Sequence, residues 1–334
     1  MDSLGSSPTA VYDPLAVAVL AYRRPEHLER TLESLGKARQ FDSCVLRIVI
    51  DGPKDASVQE DVTRCLAIAK KFKDAYTGRA RQIEISTRRE NQGLSASVKS
   101  TTSSLCKAYG HAVILEDDLL VAAGFLEYVQ EALAKYAADE NVFQISGHSH
   151  DSFGGLASFV RLTTSWGWAI WADRWDNFCT FESQHSQELD ALNQTKNFNF
   201  GNAYPYDLLV KLQSRGMIDS WAIGIHQYAH AKGLVSIFPP ESLIANIGFD
   251  GSGEHCGQLT LRNDHLTRES VSLPKTVAVD EERERSIQRK LRGFLGTEYY
   301  KKRFAMAARI AWHDLRAVLR SVREPKLELG EPDD

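Results

Sequence analysis

Three short, largely aliphatic runs constrain most strongly what this chain can fold into. Leu15 to Ala21, Val45 to Ile50 and His111 to Leu115 carry apolar residues at consecutive positions rather than alternate ones, the pattern of strands buried on both faces by helices. Ile83 to Ser86 is a weaker, alternating run. Each is followed by a helical stretch: Glu26 to Gly36 with Leu28, Leu32 and Leu35 on one face, Ala56 to Phe72, Ser95 to Tyr109, and Phe125 to Tyr136. Four strand-then-helix units in about 120 residues predict an α/β fold, an open and mostly parallel sheet flanked by helices with right-handed crossovers.

Ligands of open α/β sheets bind beyond the carboxyl ends of the strands, so the residues that end each run matter most. The first run ends on Tyr22, Arg23 and Arg24, the second on Asp51, the third on Arg88, Arg89, Asn91 and Gly93, and the fourth on Glu116, Asp117 and Asp118. Three adjacent carboxylates repel one another and are costly to desolvate. Either they form a solvated acidic turn leading into the next helix, whose N-terminus favours acids, or they face a cation. A divalent ion held by one or two carboxylates, with phosphate oxygens completing its shell, fits Mn²⁺ or Mg²⁺. Arginines pair with phosphate oxygens, a lone Asp accepts from ribose hydroxyls or a base edge, and Gly93 suits a turn of positive φ. These loops together suit a nucleoside diphosphate.

The 334 residues are 43% hydrophobic and 25% charged with a formal net charge of -4, which argues against a disordered chain and against a general attraction to nucleic acid. Five scattered cysteines without a C-x-x-C pair suggest reduced thiols rather than a disulfide framework or a zinc knuckle. With no apolar run of about 20 residues and no signal-peptide pattern, the expectation is a cytoplasmic protein. The sequence divides into a loose leader at 1–14, a main domain at 15–270 (nucleotide half 15–120, acceptor half 121–270), a basic helical extension at 271–323 and an acidic, disordered tail at 324–334. Residues 283–323 hold 12 Arg or Lys against 3 Asp or Glu, with apolar residues at helical spacing. They predict two amphipathic helices, broken near Gly293 to Thr297, that pack on the domain or rest on an anionic membrane. His148-x-His150 and His226-x-x-x-His230 have metal-compatible spacing but lack an acidic or Cys partner, and read as core or solvated histidines.

At these residues the chain resembles sugar-nucleotide-dependent glycosyltransferases of the GT-A fold. Ala18 to Leu28 is similar to their opening strand and loop, and Glu116-Asp117-Asp118 resembles the E-D-D motif of the N-acetylglucosaminyltransferase I family. The resemblance implies a metal on Asp118, sugar-side and ribose-side contacts from Glu116 and Asp117, a uridine contact from Asp51, and nucleotide-sugar contacts from Tyr22, Arg23, Arg88, Asn91 and Gly93. Thr164 to Trp171 resembles the segment under the donor sugar, with Trp168 as its platform, although the same tryptophans can fill the core. Met217-Ile218-Asp219-Ser220-Trp221 resembles the segment carrying the catalytic base, Asp219, though the family has a pair of Asp where this chain has one; Asp207 and Glu241 are the substitutes. His255 is a further candidate metal ligand. The implied activity is inverting, metal-dependent transfer from a nucleotide sugar to a glycan or glycolipid acceptor. A nucleotidyltransferase would want a Gly-rich triphosphate loop after the first strand, which Tyr22 to Glu26 is not, and an inactive sugar-binding module would have no need of the intact acidic set.

Overall fold

The computed structural model describes residues 12–185, 196–251, 266, 270–295 and 298–323. In chain order the strands are β1 (Leu15–Ala21), β2 (Cys44–Ile50), β3 (Gln82–Thr87), β4 (His111–Glu116), β5 (Leu119–Val121), β6 (Val142–Ser146), β7 (Ser158–Val160), β8 (Trp168–Trp171), β9 (Val235–Phe238) and β10 (Ile244–Asn246). The α-helices are α1 (Pro25–Gly36), α2 (Gln59–Tyr76), α3 (Gly93–Tyr109), α4 (Phe125–Tyr136), α5 (Ala172–His185), α6 (Tyr206–Ser214), α7 (Trp221–Ala231), α8 (Glu281–Leu295) and α9 (Glu298–Arg323). Eight strands form one sheet in the order β3-β2-β1-β4-β8-β6-β9-β7. The four pairings β1/β2, β2/β3, β1/β4 and β6/β9 are parallel; β4/β8, β6/β8 and β7/β9 are antiparallel. The open, mostly parallel sheet anticipated from the aliphatic runs is the architecture observed.

Alternation explains why those runs are continuous. Leu15, Val17 and Val19 of β1 enter a core shared with α1, α2 and α4, whereas Ala16, Ala18 and Leu20 enter a second core shared with α3, α5 and α7. A residue pointing either way therefore meets helix. The sequence expectation differs from the structure mainly after the acidic triplet. The chain runs into β5, which pairs antiparallel with β10 through Asn246 opposite Leu119, before α4 begins at its expected residue. Three-residue strands carry too little periodicity to be read from sequence.

Both C-terminal helices form, and α8 belongs to the core. Arg283 and Ile287 are fully buried, and Ile287 packs with Val160, Leu162 and Phe238. The leader up to residue 11 and the tail from 324 lie outside the described residues. Among the described residues, no helix is long and apolar enough to cross a membrane.

Candidate functional site

The register brings the strand ends together. Leu20 lies opposite Glu116 and Ala21 opposite Ile50, so the loop Tyr22–Arg24, Asp51 and the triplet share one edge of the sheet. In β4 the side chains Val113 and Leu115 face the α1 side and Ala112 and Ile114 the α3 side; the same alternation sends Asp117 and Glu116 to opposite faces.

Asp117 is buried, accepting weakly from Tyr22 N (3.4 Å) and bonded by the Arg24 guanidinium, while its carbonyl accepts from Thr31 Oγ1 at 2.7 Å. Asp118, also buried, accepts from Arg24 Nη1 at 2.9 Å through Oδ2. Its other oxygen, Oδ1, is buried with no partner. Glu116, partly exposed, has its carboxyl pushed up to about 8 by burial and then by the charges of Asp118 and Asp117. Burial raises Asp117 to about 6 against the opposing pull of Arg24. Burial alone would lower the Arg24 pKa, and Asp117 and Asp118 outweigh it. The turn thus sets three carboxylates against one guanidinium.

A segment that sequence reasoning did not connect to this turn covers it. Ile247 N donates to Asp118 O at 2.9 Å, and a Cβ on Gly248 would stand 2.0 Å from Asp118 Oδ2 and 2.9 Å from Arg24 Nη1. His27 pairs with Asp250 at 3.1 Å. A side chain at position 248 would force Asp118 and Arg24 to move apart from it, and the β5/β10 pairing holds Gly248 there. The signal in the sequence would have been the pairing partner of β5.

A divalent cation fits this place through one observation, the orphaned Oδ1 of Asp118, since buried polar atoms ordinarily have partners. Among the described residues no group of three or more His, Cys, Asp or Glu could hold a metal. The chain would therefore offer Asp118 as its carboxylate, and phosphate and water oxygens would fill the rest of the shell, as Mg²⁺-like ions accept. His255 lies outside the described residues.

The remaining candidates fall into three groups. The half-buried Tyr22 and Arg23 stand at the same edge, the Tyr22 hydroxyl accepting from Lys54 N at 3.2 Å and the Arg23 guanidinium lying 5.9 Å from the Tyr22 ring. Asp51, Arg88, Asn91 and Gly93 interlock. Both oxygens of the buried Asp51 accept from Gln92 N (3.0 and 3.1 Å), and Gly93 N adds 2.9 Å to Oδ2, so Asp51 satisfies, from across the loop, the amides of the Gln92 cap and of Gly93 that open α3. Asn91 donates to Gly52 O at 3.1 Å, Gly93 takes φ +80°, and Arg88 reaches Ser100 Oγ at 2.8 Å. The carboxylate that the resemblance assigns to uridine is thus engaged by backbone amides. Trp168 requires a correction: it is wholly buried, its ring stacked on Trp221 at 5.2 Å, so it is a core residue with no face for a sugar. Trp166, partly exposed, is the aromatic beside the site, its ring 5.5 Å from Phe249, which follows Gly248.

Asp219 is exposed in the loop before α7. Trp221 stacks on Trp168, which lies opposite Ile114, two residues before Glu116, so α7 begins toward the same sheet edge. Of the substitutes, Asp207 is buried and paired with Arg303 and Asn199, a structural role, while Glu241 is exposed and accepts from Ser152. His148 bonds Ser242 and His226 bonds Phe198 O, as core histidines do.

No family model matches the chain, and no curated protein matches it significantly. Among solved structures it is similar to TarS of S. aureus, with 15% identity over 49% of this chain and 29% of that one and a TM-score of 0.35. It is also similar to the mannosyltransferase PcManGT from Pyrobaculum calidifontis in complex with GDP-Man and Mn²⁺ (12% identity, 69% of this chain, 77% of that one, TM-score 0.36). A third similarity is to an active-site mutant of LgtC (12%, 52% and 65%, TM-score 0.34). The chain spans less than a third of TarS and under two thirds of LgtC.

Proposed function

We propose that the chain is an inverting, metal-dependent glycosyltransferase that moves a hexosyl or N-acetylhexosaminyl group from a nucleoside diphosphate, with UDP as carrier, to a hydroxyl of a glycan or glycolipid. The observation that carries this reading is the acidic turn at the carboxyl edge of the sheet, where buried Asp118 keeps one oxygen unpartnered. Bound there, Mn²⁺ or Mg²⁺ supplies positive charge against which a diphosphate can depart. Asp118 is the side chain that holds it. Arg23 stands at the mouth of the same edge for phosphate, Asp51 orders the α3 N-terminus, and Asp219, solvated and ahead of α7, takes the proton of the acceptor hydroxyl. Residues 15–120 would then form the nucleotide half and 121–270 the acceptor half.

One observation favours a second reading. Arg24 already lies across Asp117 and Asp118, and a permanent internal cation would leave a sugar-binding module without catalysis. Screening hydrolysis of UDP-, GDP- and other nucleotide sugars with Mn²⁺, without acceptor, separates the two. Turnover of one donor that disappears in Asp118→Asn supports the enzyme; binding with no hydrolysis or transfer leaves the module. For the base, Asp219→Asn should lose about 10²–10⁴ in transfer rate with donor affinity unchanged. Near-normal turnover, or a product of retained configuration, removes Asp219 from that role.

A further inference from the structure

Helix α9 has one face held and one face open. On the held side Ile310 is buried with Leu208 and Leu212, Arg303 pairs with Asp207 at 3.0 Å and Asp314 with Arg215 at 2.8 Å, all on α6 or its C-cap. On the other side Tyr300, Phe304, Trp312 and Leu315 are 74%, 77%, 56% and 48% exposed. Their spacing of four, eight and three residues puts them within about a third of the helix circumference, with Ala308 and Ala311 between them. Large exposed apolar groups in a contiguous stripe mark an interaction surface.

The charges say what covers it. From 299 to 323 the helix carries seven Lys or Arg and one acid, Asp314, and that acid is turned to Arg215. By helical angle, Arg316 and Arg309 border the apolar stripe beyond Trp312, while Lys301 falls within it beside Trp312, and the Arg316 guanidinium lies 5.1 Å from the Trp312 ring. Two copies meeting through this face would bring like charges together across a two-fold axis. An anionic bilayer offers acyl chain to the stripe and lipid phosphate to its basic border. We propose that α9 is an interfacial membrane-docking helix, lying in the headgroup region of an anionic membrane with the stripe inward while α6 and α8 keep the domain upright on it. The proposal stands apart from any catalytic role, and its test needs no substrate.

The full-length chain is floated with vesicles of phosphatidylcholine alone and with about one-third phosphatidylglycerol. Binding is expected to the anionic vesicles and to fall with salt, since screening tightens from ~10 Å at 0.1 M to ~3 Å at 1 M. Each basic residue near such a surface is worth about five-fold in partitioning, so Arg309→Glu with Arg316→Glu should lose about 25-fold or more. Phe304→Ser with Trp312→Ser should abolish binding while leaving the thermal transition in place, because both rings are solvent-exposed in the free protein. Wild type that ignores anionic vesicles overturns the proposal, as does binding indifferent to both double variants. A concentration-dependent dimer that Phe304→Ser with Trp312→Ser disperses, seen without vesicle binding, assigns the face to a second copy instead.

Discussion

Two arginine–carboxylate clusters sit along one edge of the same sheet, at the ends of different strands, and they behave as opposites. At the end of β4, Arg24 spans Asp117 and Asp118 with 17% of its side chain exposed, under the loop at Gly248, where a side chain would displace both. Beyond β6 and β9, Arg283 of α8 is fully buried, pairs with Asp151 at 3.1 Å, donates to Ser149 Oγ and Pro239 O at 2.6 and 2.9 Å and lies 5.0 Å from the Phe153 ring. One guanidinium faces Asp117 and Asp118, with Glu116 beside them, in the first cluster, and Asp151, with Asp280 nearby, in the second. Both clusters leave a buried carboxylate oxygen without a partner, Asp118 Oδ1 in the first and Asp151 Oδ2 in the second, where Arg283 Nε and Nη1 are also unsatisfied; the first differs in having Glu116 as a further acid beside it. The chemistry is shared, but the second cluster ties α8 to the loops after β6 and β9 and so acts as a bolt, whereas the first lies at the strand edge where the proposed donor would bind.

Breaking the bolt should have the largest effect. Removing one partner of a buried pair strands the other, so Arg283→Ala should cost about 3–5 kcal/mol of stability, read as a shift in the urea midpoint. Asp118→Asn should leave that midpoint nearly unmoved, and a large loss there would make Asp118 structural. The converse holds for ligand. With UDP and Mn²⁺ at 100 times Kd, wild type should gain ~2.7 kcal/mol and Asp118→Asn almost none. A full gain in Asp118→Asn would move the cation elsewhere.

Acid sharpens the contrast. His150, partly exposed beside Asp151 and Arg283 and against the His148 ring at 4.7 Å, is lowered to about 4 chiefly by burial, with Asp151 opposing and Arg283 reinforcing; burial also lowers His148, and the His150 ring adds to it. An unfolded imidazole titrates near 6.5, so as pH falls the unfolded chain takes up protons first. The stability these rings contribute is complete above about 6.5 and drains as pH falls toward 4, by about 1 kcal/mol for His150 one unit below the ordinary value. His150→Gln should flatten that part of the stability profile without changing the Mn²⁺ and UDP response. An unchanged slope would place the acid sensitivity in other groups.

The first half of the fold was legible because its information is local. Aliphatic runs, helical periods and charged run-ends each lie within a few residues, and β1 to β4 with α1 to α4 appear near their expected bounds. The site was legible only as far as one strand carries it. That Asp117 and Asp118 follow the end of β4 is local; that Arg24 meets them depends on the β1/β4 register, and that Gly248 closes on them depends on β5 finding β10 across more than a hundred residues, which no period announces. Trp168 misled for a related reason. Its position beside the strand end is visible in sequence, whereas its alternation phase, inward onto Trp221, is set by the antiparallel register with β4. Charge patterning groups Arg283 with the basic helices that pack on the domain or rest on a membrane, and cannot tell a solvated arginine from one paired with a distant Asp151.

The smallest expected effect tests the comparison most directly. If Arg24 stands where a cation would compete for Asp118, removing its charge should make Mn²⁺ alone a better stabiliser. A partly exposed pair of this kind is worth on the order of 0.5–1 kcal/mol, so Arg24→Met should increase the Mn²⁺-induced thermal shift by that amount without nucleotide present. The comparison must be made within each variant, with and without metal, because Arg24→Met also leaves Asp117 without its guanidinium and lowers the starting stability. Mn²⁺ should return part of that loss, as a second cation entering the same acidic turn. At the second cluster the same experiment should give nothing: the Asp151 side chain is 1% exposed, so Mn²⁺ should fail to reach it and to rescue Arg283→Ala. A smaller Mn²⁺ shift in Arg24→Met than in wild type would mean that Arg24 helps to hold the cation site in shape rather than competing with a cation for Asp118.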